Sequence, residues 1–351
     1  MSEATSPALS DDVFPAPDVF PARDTFPAPD VSPAPWTGRH DGDSPEHRRW
    51  WQAVQPCTRE GLTEAVAAAE AQGGRRPAVL LGFASDEGVR RNKGRVGAAA
   101  APNAIRAALG PLAFHLGRDV FDAGDVTVKL GEEGAPGDLE GGQERCGEVI
   151  TSMLDAGALT VTLGGGHETA YASYLGVVDS ERVAGARVGV LNLDAHFDLR
   201  AEDRASSGTP FLQMARAEAA AGRTLEYAVV GISRPNNTLA LFRRADELGV
   251  RYLLDEYATR ETAESFVEDF LSGLDAVYLT IDLDVLPAAV APGVSAPAGL
   301  GVPLDLIVAV VRRVVASGKL VHADLAELNP SYDVDSRTAR VAARLVDTIL
   351  G

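Results

Sequence analysis

Six short runs of this chain are almost continuously apolar and rich in β-branched residues: 77–83, 158–163, 187–193, 227–232, 276–281 and 319–325. Runs of this length and composition are the pattern of strands buried on both faces, as in a parallel sheet. Helical patterns at 63–71, 144–156, 238–248 and 305–316 lie between them. The alternation predicts βαβ units, hence an α/β fold with a mostly parallel central sheet and helices on both faces. No Pro/Gly/Ser-rich linker interrupts it after residue 50, so residues 47–351 are expected to form a single domain.

Three of these runs end in unusual residues. The first of them leads into Gly164-Gly165-Gly166-His167-Glu168, the next into Asp194-Ala195-His196-Phe197-Asp198, and the third into Asp282-Leu283-Asp284. Open parallel sheets bind ligands beyond the carboxyl ends of their strands, which is where all three motifs fall. Side chains two apart on extended chain point the same way, so Asp194, His196 and Asp198 can converge, as can Asp282 and Asp284. Four carboxylates brought together raise one another's pKa and cannot all stay ionised without cations among them. Two divalent ions would cancel four charges, and a pair of metals is a device for making nucleophilic hydroxide. Carboxylate and imidazole without thiolate suit Mn²⁺. Asn192, beside Asp194, is expected to orient a ligand.

Composition narrows the remaining possibilities. The formal net charge is -18, which argues against nucleic acid as a partner. Two cysteines, Cys57 and Cys146, are too few for a disulfide framework and fit a reducing compartment. There is no apolar h-region near the N-terminus and no run long enough to span a membrane. A soluble cytoplasmic protein is expected. Residues 1–46 differ from the rest: nine acids, two bases and a six-residue repeat, Asp12-Val-Phe-Pro-Ala-Pro17 being its first copy. Proline at that frequency blocks helix and ladder pairing, so residues 1–46 are expected to be a disordered tail, with Phe14, Phe20 and Phe26 as possible anchors for a partner.

Taken together the motifs resemble those of the ureohydrolase family, which includes arginase, agmatinase and formimidoylglutamase. The similarity runs from about residue 81 to 345 and extends to Glu327-Leu328-Asn329-Pro330. It implies a three-layer α/β/α sandwich, two Mn²⁺ per subunit and a homo-oligomer. It also implies that His167, Asp194, Asp198 and Asp282 hold one ion and that Asp194, His196, Asp282 and Asp284 hold the other. A hydroxide between the metals would attack an amidine carbon, Asp198 would carry its proton to the leaving amine, and Glu327 would face the cationic amidine.

Within the family, arginase and agmatinase carry a histidine where this chain has Ser207, in Ser206-Ser207-Gly208-Thr209-Pro210-Phe211. That form, and the segment 86–98 with the Pro102-x-Ala104-Ile105-Arg106 stretch, resemble formimidoylglutamase. The resemblance therefore implies hydrolysis of N-formimidoyl-L-glutamate to L-glutamate and formamide, a step of histidine degradation. An agmatinase or guanidino-acid hydrolase releasing urea is the alternative. A substrate with an amidine and two carboxylates needs cations away from the metals. Arg90, Arg91, Lys93 and Arg95 form the densest basic cluster of the chain, and one or two of them are expected to bind the carboxylates, with Ser207 also in the substrate site.

Overall fold

The computed structural model of the chain describes residues 27–132, 135 and 137–351. Among the described residues nine strands form one sheet: β1 (Gln55–Pro56), β2 (Ala78–Ala84), β3 (Val120–Thr127), β4 (Leu159–Leu163), β5 (Val188–Leu193), β6 (Glu226–Ile232), β7 (Arg251–Leu254), β8 (Ala276–Asp282) and β9 (Leu320–Ala326). Their order is β1-β3-β2-β4-β9-β8-β5-β6-β7. Every pairing between them is parallel.

Successive residues of a strand feed opposite sides of the sheet. Leu80, Val161 and Leu279 join one apolar cluster with Ile105, Val310 and Val346. Val79, Leu81 and Tyr278 join a second with Ile150, Val177 and Met214. Helices thus cover both faces, and the protein is an α/β/α sandwich, as the strand pattern and the resemblance lead one to expect. All six expected strands form, each within about two residues of the expected bounds.

Three strands gave no apolar signal. β3 contains Asp122, Gly124 and Asp125, which read as a loop. Its carboxylates are buried because Arg106, on the helix Ala101–Leu109, reaches them. Arg106 Nε donates to Asp122 Oδ2 at 2.8 Å and Nη1 to Asp125 Oδ1 at 2.6 Å. A buried guanidinium facing two buried carboxylates is tolerable only as a set, since removing one partner strands a charge. β1 and β7 are short strands at the two edges of the sheet.

The segment 27–46, expected from its composition to belong to the tail, lies against the domain. Val31 bridges to Asp125, Thr127 N–H donates to Asp30 Oδ2 at 2.8 Å, and Trp36 Nε1 donates to Asp122 Oδ2 at 2.8 Å. The composition of the segment concealed this, because it is Trp36 and the unpaired side of β3 that hold it. Phe14, Phe20 and Phe26 lie outside the described residues. Among the described residues no helix is long and apolar enough to cross a membrane.

The order of the strands also sets where a ligand can bind. After β4 the chain crosses to β5, leaving a gap between them that β8 and β9 later fill. The carboxyl ends of β4, β9, β8 and β5 therefore stand side by side at the reversal of strand order, the usual ligand position of such sheets.

Candidate metal centre

Three glycines bring the end of β4 to the site. A Cβ on Gly165 would overlap the carbonyl oxygen of Ser85, and one on Gly166 would strike Glu168 and Val89. Glycine is required here for close packing of the strand end against the loop after β2. His167 follows, fully buried, with its ring edge-on to Phe211 at 5.4 Å.

His167 Nδ1 lies 3.1 Å from Asp194 Oδ2, 3.1 Å from Asp198 Oδ2 and 3.2 Å from Asp282 Oδ2. His196 Nδ1 lies 3.1 Å from Asp284 Oδ2 and 3.6 Å from Asp194 Oδ1. Two clusters with donor atoms close enough to share an ion result: His167, Asp194, Asp198 and Asp282, and Asp194, His196 and Asp284. Asp194 belongs to both, one oxygen to each. Asp282, expected in both, stands with the first cluster, and its other oxygen accepts the Asp284 N–H at 2.8 Å. All six residues expected as ligands are thus brought together.

Local backbone geometry aims these side chains. The Asp194 Oδ1 accepts the His196 N–H at 2.7 Å. Asn237 ties the same turn by donating to Ala195 O and accepting from Phe197 N–H. Asp198 has φ 48° and Glu327 has φ 68°. Left-handed backbone at non-glycine residues costs about 1–3 kcal/mol each and persists where the surroundings over-determine it.

The electrostatics are those of a site built for cations. Burial and the charges of Asp284 and Asp194 push Asp282 well above the usual carboxylate range. Burial and Asp194 likewise raise Asp198. Burial alone would depress His167, but Asp194, Asp198 and Asp282 outweigh it and raise it well above 6.5. Asp194 is buried too, yet His167 and His196 hold it low. Among the described residues the buried Asp284 Oδ1 has no hydrogen-bond partner. Hard oxygen and imidazole donors with an unpartnered carboxylate oxygen fit a pair of divalent ions such as Mn²⁺.

Outside the six candidate ligands stands a set of buried groups, one foreseen and others not. Asn192 Nδ2 donates to Asp194 Oδ2 at 2.9 Å, as expected. Thr280 Oγ1 donates to Asp324 Oδ1 at 2.7 Å and lies 3.0 Å from His167 Nε2. Its proton being committed to the carboxylate, the hydroxyl accepts from Nε2–H, which leaves Nδ1 as the nitrogen available to an ion. Tyr278 Oη donates to the other oxygen of Asp324. Thr280 and Asp324 were missed because a threonine in a β-branched run reads as strand propensity. The period-two spacing of Thr280 and Asp282 was the available signal.

Glu327 and Glu168 sit beside the first cluster. Glu327 Oε1 accepts the His167 N–H at 2.9 Å, while its buried Oε2 has no partner among the described residues. Burial and the neighbouring Glu168 push its carboxyl up to about 8. Burial pushes Glu168 up to about 7, though Ser85 Oγ and Gly88 N–H both donate to it.

Three of the four cations of the basic cluster, Arg90, Arg91 and Arg95, have partners within the protein. Arg90 Nε donates to Glu87 Oε2 at 2.8 Å. Arg91 is taken up by Glu87, Glu140, Gly137 O and Ala205 O. Arg95 donates to Ser295 O and Val294 O and lies over the Tyr332 ring. Lys93 is exposed, at φ 61°. Ser207 is buried, and its Oγ accepts from Asn92 Nδ2 at 3.1 Å. These loops are thus cross-braced, and charge density along the sequence could not reveal that Glu87 and Glu140 occupy two of the guanidinium groups.

Arg200 was overlooked. It lies two residues past Asp198, exposed, with its N–H on Gly208 O at 2.8 Å. Its side chain lies over Gly208, where a Cβ would come within 2.7 Å of Arg200 Cδ and 3.2 Å of Asn92 Nδ2. It has no ion pair among the described residues.

A parallel α/β sheet with two adjoining His/Asp clusters at its central strand ends is the class of architecture found here. The chain belongs to the arginase family, whose sequence profile matches residues 76–351. The formimidoylglutamase of Nocardia farcinica is 55% identical over 316 residues, covering 90% of this chain and 95% of that protein. The formimidoylglutamase of Rhodococcus opacus is 52% identical over 319 residues, covering 90% and 94%. Among solved structures, formimidoylglutamase from Bacillus subtilis superposes with a TM-score of 0.71 at 18% identity, over 96% of this chain and 94% of that one. Trypanosoma cruzi formiminoglutamase with Mn²⁺ superposes with a TM-score of 0.69 at 24% identity, over 82% and 96%. These two likenesses show a shared fold.

Proposed function

We propose that this protein hydrolyses N-formimidoyl-L-glutamate to L-glutamate and formamide, using two manganese ions. The observation that carries the reading is the pair of His/Asp clusters sharing Asp194, with the unpartnered Glu327 Oε2 buried beside them. His167, Asp194, Asp198 and Asp282 would hold one ion, and Asp194, His196 and Asp284 the other, with Asp282 available to both. Two bound metals supply an acidified water as nucleophile.

The chain's own groups then divide the remaining work. Glu327 Oε2 is the acceptor for the N–H groups of a cationic amidine. Asp198, less deeply buried than the other carboxylates at 13% side-chain exposure, is placed to hold a proton and pass it to the leaving amine. Arg200, at the outer edge and free of ion pairs among the described residues, is the guanidinium for a substrate carboxylate. Lys93 is the second open cation. Ser207, where arginase and agmatinase have histidine, supplies no imidazole, which fits a dicarboxylate amidine better than agmatine. The names of the relatives at 52–55% identity support the same substrate.

Asp282→Ala tests the metal assignment. Manganese content and turnover should fall together. Full turnover in a variant that has lost this carboxylate would remove the two-metal reading.

A further inference from the structure

We propose that a cavity at the amino-terminal end of the sheet binds a small polyanion, a molecule with two or more negative charges on phosphate or carboxylate groups. The cavity has a volume of about 480 Å³ and is lined by Arg75, Arg76, Arg118, Arg312 and Arg344. Arg75 and Arg76 precede β2, Arg118 precedes β3, and Arg312 and Arg344 come from the helices Leu304–Ala316 and Arg337–Leu350. Leu159 and Leu320, the first residues of β4 and β9, also line it. The strands run from this cavity to the metal ligands, so the two sites are about 20 Å apart.

The chain has 32 Lys and Arg against 50 Asp and Glu, so an ordinary patch of its surface is acidic. Here five guanidinium groups share one cavity with a single acidic side chain, Asp347. Asp347 pairs with one of the five, accepting from Arg344 Nη1 at 3.1 Å, and also accepts from Trp50 Nε1 at 3.2 Å, so the remaining four guanidinium groups share the cavity with no further acidic side chain in its lining.

Main-chain acceptors fix part of the array. Arg76 Nη2 donates to Leu320 O at 3.1 Å, and Arg118 Nη1 to Arg76 O at 3.2 Å. Such bonds orient the two guanidinium groups. Arg75 and Arg312 are exposed and make no ion pair among the described residues. Helix dipoles do not explain the grouping, because Arg75 and Arg118 are in loops and Arg344 is mid-helix. Planar guanidinium forks match phosphate and carboxylate oxygens in pairs, and the volume is that of a small-molecule site.

The test is calorimetric titration of the full, manganese-loaded chain at constant ionic strength. A sugar bisphosphate and tricarballylate are the probes, with acetate as the singly charged control. Saturable one-to-one binding of at least one probe is expected, and the tighter probe identifies phosphate or carboxylate as the ligand. Arg75→Ser/Arg312→Ser should weaken that binding by about tenfold or more while turnover stays unchanged. Arg75→Glu is a second variant, expected to weaken it further without disturbing the fold. The proposal is overturned if neither probe saturates at millimolar concentration. It is equally overturned if the variants bind like the wild type, or if acetate reproduces the response.

Discussion

Thr280→Val isolates the contribution of a single hydroxyl to the metal centre. The substitution keeps the β-branched shape in a fully buried strand position and deletes only the group between His167 Nε2, at 3.0 Å, and Asp324 Oδ1, at 2.7 Å. His167 then loses the acceptor that fixes its tautomer, and Asp324 Oδ1 loses the Thr280 donor while Tyr278 Oη stays on Oδ2. A buried polar group left unpaired costs about 1–3 kcal/mol of stability. If His167 holds an ion as proposed, loss of the group that orients it should lower metal affinity roughly 10–100-fold, about 1.4–2.7 kcal/mol. The assay is turnover measured against buffered free Mn²⁺, with a chelator competition for affinity. The activation curve should move to higher Mn²⁺ while kcat at saturation changes little, and Thr280→Ser should restore the wild-type curve. A Thr280→Val protein that is destabilised yet binds Mn²⁺ like the wild type would refute the reasoning and leave the hydroxyl as a packing group only.

Other perturbations draw on the same geometry. Arg200→Gln should raise KM for N-formimidoyl-L-glutamate by about tenfold or more and leave metal content unchanged, because it would remove the charge-assisted contact proposed for a substrate carboxylate. His322 is buried neutral, 2.6 Å from Thr160 Oγ1, and burial depresses its pKa to about 3. Since the unfolded chain takes up a proton near 6.5, the stability tied to this group is intact above that pH and is lost as pH falls towards 3. Between pH 7 and 5 this amounts to about 2 kcal/mol, so denaturant midpoints of the wild type should fall more steeply than those of His322→Gln. Deletion of residues 1–26 should leave thermal stability and turnover unchanged. Deletion through residue 46 should cost about 2–3 kcal/mol, because it removes Trp36 and its bond to Asp122.

The strands that carry the ligands were legible because burial on both faces forces an uninterrupted apolar run, and the acids and histidines stand out at their ends. β3 was not legible, because Asp122 and Asp125 look like loop residues until Arg106 is brought to them from another helix. The same limit applies at the site. His167, Asp194, His196, Asp198, Asp282 and Asp284 carry a local spacing signal, whereas the roles of Thr280, Asp324 and Asn237 depend on partners across the sheet. Arg90 and Arg91 show the converse limit: a dense cluster of charge along the sequence is paired with Glu87 and Glu140 in space, which sequence spacing does not reveal. Arg200, a lone arginine in sequence, has no ion pair among the described residues.

Side-by-side hydrolysis of N-formimidoyl-L-glutamate and agmatine by the Mn²⁺-loaded protein bears most directly on the proposed reaction. Formamide and glutamate should appear from the first, and no urea from the second. Urea from agmatine, with no formamide from N-formimidoyl-L-glutamate, would contradict the substrate while leaving the metal centre in place.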